Sequence, residues 1–211
     1  MNIKEMNYAG WLARSERLIR FILRGLDRIR CLDFIAPLLL RLYLVPIFWM
    51  AGTKKLADFS STVEWFGNHE SGLGLPVPWL LVLLVALLEV IGAFCLLLGL
   101  GVRLISLPLL LVMFFAGFLV HWKNGWLTIA EGNGIFANDQ TIAAIERLTQ
   151  AKSILQNYGD YQWLTEKGSY VILNNGIEFA ATYFVMLLVL LFNGGGRYVS
   201  VDYWLQRRYS E

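Results

Sequence analysis

Residues 78–122 read PWLLVLLVALLEVIGAFCLLLGLGVRLISLPLLLVMFFAGFLVHW, two apolar runs separated by a break at 100–103. Each run approaches the ~20 residues that an α-helix needs to cross the hydrocarbon layer. The break is long enough only for a tight turn, so the pair predicts an antiparallel transmembrane hairpin. Glu89 stands in the middle of the first run. An ionisable group there is costly and usually serves a purpose.

Composition extends this reading to the whole chain. Hydrophobic residues make up 57% and charged residues 16% of the 211, with a mean hydropathy of +0.54. Soluble domains carry about a quarter charged residues, so the chain reads as a polytopic membrane protein with one bundle. The net charge of +2 implies no particular partner. Cys31 and Cys95 form no CxxC pattern and imply no disulfide framework. Cys95 lies in an apolar run, where packing explains it.

Upstream, Arg14, Arg17, Arg20, Arg24 and Arg28 recur at helical spacing opposite Leu18, Ile19, Ile22, Leu23, Leu26 and Ile29. This pattern predicts an amphipathic helix on the membrane surface, either a simple anchor or a recruitment element. A first span over residues 34–52 contains Pro37, Arg41 and Pro46, and Pro46 is expected to kink it. Lys54 and Lys55 mark its far end, and residues 56–77 read as a loop. Downstream of the hairpin, 123–175 is polar, with a surface helix expected over 139–157 behind an N-cap at Asn138 or Asp139. A fourth span over 176–193 ends at Gly194–Gly196.

The expected fold is therefore all-α: a transmembrane four-helix bundle with an N-terminal amphipathic interfacial helix and a helical outward-facing loop. Residues 1–32 form the interfacial helix. Residues 33–205 form one four-span domain, with spans at about 34–52, 78–100, 103–122 and 176–193 and the outward loop at 123–175. Basic residues concentrate before residue 31, at Arg103 and in the tail (Arg197, Arg207, Arg208). The positive-inside rule places both termini in the cytoplasm of an inner membrane.

Two constellations could carry chemistry. Helical rise puts Glu89 roughly 16 Å and Arg41 roughly 12 Å from the cytoplasmic side. On antiparallel neighbours they are expected to pair, either as a structural ion pair or as a proton, quinone or ion site. Glu89, Gly92, Leu96 and Gly99 share one helix face, and the glycines turn it inward. The second constellation is an outward polar cluster of Lys54, Lys55, His69, His121 and Glu178. Its histidines, His69 and His121, are candidate metal ligands, although no tight ligand spacing is present and interface anchoring explains His121 as well. Nothing resembles a hydrolase triad, a phosphate loop, a dinucleotide fingerprint or a nucleic-acid surface, and no catalytic set is legible.

These residues resemble the DoxX family of small four-span membrane proteins. The resemblance rests on Arg41, Gly52 with Lys54 or Lys55, Glu89, Gly92, Gly99 and Arg103. It also rests on the closing GGGRYVSVD, with Gly194, Gly196, Arg197, Ser200 and Asp202; Val201 replaces the usual Leu. WFGN, GLGLPVP and HWKNGWLTIA are similar to the longer HvfX branch. That likeness implies an accessory role in a copper-binding-peptide or metal and redox-stress pathway, with copper as a cofactor candidate. Other branches imply a quinone-interacting membrane subunit of an oxidoreductase, with quinone as the candidate. A small transporter or membrane scaffold is the third reading. Implied partners are the lipid bilayer, a small periplasmic or peptide partner or a soluble oxidoreductase, and a further copy of the chain.

The topology is directly testable. Alkaline phosphatase fused at residue 211 should be inactive, and fused within 139–157 it should be active. The opposite pattern would overturn the assignment of both termini to the cytoplasm.

Overall fold

The structure, a computed structural model, describes residues 16, 20, 21, 25 and 30–209. The amphipathic helix expected over 1–32 lies almost wholly outside the described residues. The described chain is an all-α bundle without a strand; one isolated β-bridge joins Ile129 to Leu173. Three helical stretches are long and apolar enough to cross a membrane: Arg30–Ala57, Pro78–Leu98 and Val102–Asn124. The chain is a membrane-spanning protein.

Helix α1 is Ile35–Ala57 and α2 is Phe59–Gly67. Helix α3 is Pro78–Leu98, and α4 is Val102–Phe115, continued by a π-helical turn over Ala116–His121. In the polar region lie α5, Asp139–Tyr158, and α6, Tyr161–Thr165. Helix α7 is Glu178–Asn193 and α8 is Val201–Tyr209. With no water in hydrocarbon, each spanning segment has to satisfy its backbone internally, which these apolar runs do as helices.

The helices close into a ring. Helix α1 packs on α3 and α7, and α4 packs on α3 and α7. Neighbours run antiparallel: Gly52 of α1 meets Ala86 and Glu89 of α3, whereas Gly99, just past α3, meets Arg41. The inner face of α1 is Pro37, Arg41, Leu44, Phe48 and Gly52, at helical spacing. It meets Ala93 and Leu96 of α3, Leu109 and Leu110 of α4, and Leu187 and Leu190 of α7 in one core. Leu39, Met50, Leu84, Leu107 and Phe192 face outward instead, as lipid contact requires.

Several local expectations change. Helix α1 runs unbroken through Pro46 and five residues past Gly52, so Lys54 and Lys55 sit within its last turn. Residues 59–67, expected as loop, form α2. Helix α7 has 16 residues, roughly 24 Å of rise against a hydrocarbon core of about 30 Å. It is the short wall of the bundle. Helix α5 begins where its cap was expected: the Asn138 side chain accepts from Thr141 N, and Thr141 Oγ1 accepts from Asn138 N. One end of the bundle carries α2 and the polar loop (the loop end). The other carries the Gly99–Arg103 turn and α8 (the tail end).

Close approach of α1 to α3 sets the register. A Cβ on Gly52 would lie 2.7 Å from Val90 Cγ2 and 2.9 Å from the Ala86 carbonyl oxygen. Gly52→Leu should therefore cost about 1–3 kcal/mol through overpacking. In detergent it should melt clearly lower than the parent chain. Leu39→Ala, on the lipid-facing side at 59% exposure, should change little.

Candidate functional site

Two charged centres lie inside the bundle, one toward each end. Toward the loop end is Glu89, mid-helix on α3 and 2% exposed. Its partner is Lys55, whose Nζ donates to Oε2 at 2.7 Å and to Oε1 at 2.9 Å. The lysine side chain keeps 24% exposure and the carboxylate 3%. Lys55 thus connects an interior carboxylate to the loop-end surface. Lys54, one residue earlier, is exposed and faces away. A 100° step per residue separates the two lysines, and only Lys55 continues the inner stripe below Gly52.

Toward the tail end is Arg41, fully buried on α1. Its Nη2 donates to the Val199 carbonyl at 2.8 Å, while Nε and Nη1 have no hydrogen-bond partner. Gly99 is what makes room: a Cβ there would overlap Arg41 Nη1. Asp202 supplies the opposing charge. The Asp202 carboxylate also accepts from Gly101 N at 2.6 Å and Val102 N at 2.8 Å. It caps the otherwise orphaned first turn of α4. Tyr198 adopts φ +62°, a left-handed turn that aims the Val199 carbonyl inward. Ser200, buried, donates to the Gly196 carbonyl at 2.5 Å.

The expected Arg41–Glu89 pair does not form. Gly52 stands opposite Glu89, and Arg41 stands opposite Gly99. Those two positions on α1 are separated by eleven residues, roughly 16 Å. The start of α1 extends beyond the end of α3, where Phe34 and Pro37 pack on Gly196. Depths counted from the ends of the apolar runs miss this offset.

The outward cluster separates in the same way. His121 Nδ1 is 2.8 Å from the Asn175 carbonyl, which also accepts from Asn124 Nδ2 at 3.0 Å. Glu178 accepts from Thr128 N at 3.0 Å. Asn174 Nδ2 donates to the Asn124 and Leu127 carbonyls. Together these bonds fasten the polar loop over α4 and α7. His69 lies elsewhere, against Gly74 in the turn after α2. Among the described residues, no three His, Cys, Asp or Glu side chains come together to hold a metal.

The DoxX family model matches residues 36–122. That DoxX-like stretch holds α1 to α4 with Arg41, Lys55 and Glu89, and it covers less than half of the 211 residues. The Gly194–Asp202 tail lies outside it. No curated protein and no solved structure matches the chain. Sequence reasoning found Arg41 and Glu89 as intramembrane charges but missed their true partners. Asp202 and Ser200 entered through family resemblance with no role attached.

Removing one member of a buried ion pair can cost ~3–5 kcal/mol, because the other charge stays behind. Glu89→Gln and Lys55→Met should each lower stability in detergent, and the double variant should recover much of the loss. Glu89→Gln combined with Arg41→Gln should instead give additive losses. Strong coupling in the second cycle and none in the first would refute the pairing described above.

Proposed function

We propose that this chain is a DoxX-type inner-membrane subunit that works beside an oxidoreductase, with both termini cytoplasmic, and that Lys55–Glu89 is its quinone-contacting and proton-handling group. The observation that carries the reading is the Lys55–Glu89 pair itself, a bidentate ion pair held inside an apolar bundle. Reduction of a quinone consumes protons at its two oxygens. An ammonium donor beside a carboxylate offers a hydrogen bond to one oxygen and a proton carrier next to it. Lys55 keeps the pair in touch with the loop-end surface. Leu44, Phe48 and Leu96 close the bundle between it and Arg41, so protons would enter and leave on one side. Electrons would come from the partner enzyme, which makes the chain an accessory to turnover.

An accessory role in a copper-binding-peptide pathway would instead use the loop end, where the HvfX-like WFGN and HWKNGW segments lie. His121 lies there against the Asn175 carbonyl, and His69 packs in a separate turn against Gly74. A peptide partner would dock on the aromatic surface and not on a two-histidine metal site.

The chain purified in detergent should bind decylubiquinone, measured by tryptophan quenching and by thermal shift. Loss of a charge-assisted hydrogen bond should weaken that binding roughly ten- to a hundredfold in Lys55→Met and in Glu89→Gln. Equal binding by the parent and both variants, or no binding by the parent, would dismiss the quinone reading.

A further inference from the structure

The tail end carries a second site that the proposed function does not use. A cleft of about 690 Å³ opens there between the starts of α1 and α4 and the end of α7. Its apolar walls, Ala36, Leu104 and Val189, lie on the exposed outer face of the bundle. Leu104 is 82% exposed, with no protein group covering it. At the rim stand Arg103 and Arg197, and Gly194–Gly196 form a floor without side chains.

The charges around this cleft are unevenly satisfied. Asp202, although part of the lining, spends its carboxylate on Gly101 N and Val102 N. Asp33 is 3.4 Å from Arg197, a loose pair whose side chains are 44% and 60% exposed. Arg103 donates to the Phe192 carbonyl at 3.1 Å and has no carboxylate partner among the described residues. Arg41, with Nε and Nη1 unpartnered, is fully buried beside Gly99 and does not line the cleft. Pro37, one turn before it on α1, and Ser200, next to it across Gly99, both line the cleft.

The geometry points to a binding site for an anionic phospholipid, its phosphate between Arg103 and Arg197 and one acyl chain along Leu104, Val189 and Ala36. Such a molecule has the two chemistries the cleft presents, in the order it presents them. Arginine suits phosphate because its fork of donors matches the oxygens. Basic pockets between membrane helices take anionic headgroups for the same reason. The long arginine stems cover apolar surface while the charged ends reach the headgroup level. A soluble phosphate would meet the same arginines but leave the apolar walls open.

The test uses the full-length chain in neutral detergent with phosphatidylglycerol, phosphatidylcholine or soluble glycerol 3-phosphate, read by native mass spectrometry and by thermal shift. Phosphatidylglycerol should be retained and should raise the melting temperature; the other two should do neither. Each arginine near an anionic surface strengthens binding about fivefold. Arg103→Gln and Arg197→Gln should thus each lower the preference for phosphatidylglycerol about fivefold, and together about 30-fold. Leu104→Trp, which fills the apolar wall and leaves both arginines, should lower retention of the lipid as well. If the double variant does not fold, the two single variants decide. Equal retention of both lipids by the parent, or an undiminished preference in both single variants, would overturn the site. Protection by glycerol 3-phosphate equal to that by phosphatidylglycerol would also overturn it, leaving a free-phosphate pocket.

Discussion

Gly99 has no side chain, and the guanidinium of Arg41 fills the space where one would be. The rest of the bundle depends on that contact. It fixes how far α1 slides along α3, and the slide decides which residues of the two helices meet. With Arg41 opposite Gly99, Gly52 falls opposite Glu89 one inner stripe later, and its own missing side chain lets the helices close. Lys55, a turn further on, then reaches the carboxylate. A shift of one helical turn, about 5.4 Å, would separate Lys55 from Glu89 and leave the buried carboxylate without its counter-ion.

Both charged centres are costly, and they are made tolerable in different ways. Glu89 has a direct counter-ion that retains access to water. Arg41 has one carbonyl acceptor, two unpartnered nitrogens and a carboxylate whose oxygens are already engaged by backbone donors. An orphaned buried donor can cost ~1–3 kcal/mol, so Arg41 is the less comfortable of the two. Between the centres stand Leu44, Phe48 and Leu96, all fully buried. The two polar regions therefore belong to opposite ends of the bundle. This arrangement suits a protein that handles different groups on its two faces better than one that passes a solute through its middle.

The sequence made the local features legible and hid the relative ones. The face formed by Glu89, Gly92, Leu96 and Gly99 could be read because helical periodicity is a property of one segment, and all four are buried. The cap at Asn138 or Asp139 could be read because a cap signal is local, and Asn138 fills it. The partners of Arg41 and Glu89 could not, because they depend on an offset set by contacts with residues 196–202, far away in the chain. Lys54 and Lys55 were read together as an end marker, yet adjacent residues on a helix point in different directions. His69 and His121 both belong to outward segments, and that shared side says nothing about position around the bundle. Helix α2 was hidden by its length of nine residues, which leaves little room for a periodic signal.

The stretch that matches the DoxX family is not the whole of the structural unit. Residues 36–122 contain Arg41 and the Gly99–Arg103 turn, but the carbonyl that receives Arg41 belongs to Val199. The carboxylate that caps α4 belongs to Asp202. Without the tail, Gly101 and Val102 would present bare N–H groups at a membrane boundary, and Arg41 would lose its acceptor and its opposing charge. Helix α7 brings the tail back to the tail end, and its shortness makes mechanical sense in that light. It has only to return the chain from the polar loop, fill the fourth side with Leu187 and Leu190, and deliver Gly194–Asp202 to the turn between α3 and α4. The register of α1 on α3 and the position of Gly194–Asp202 are therefore one constraint, met at Arg41.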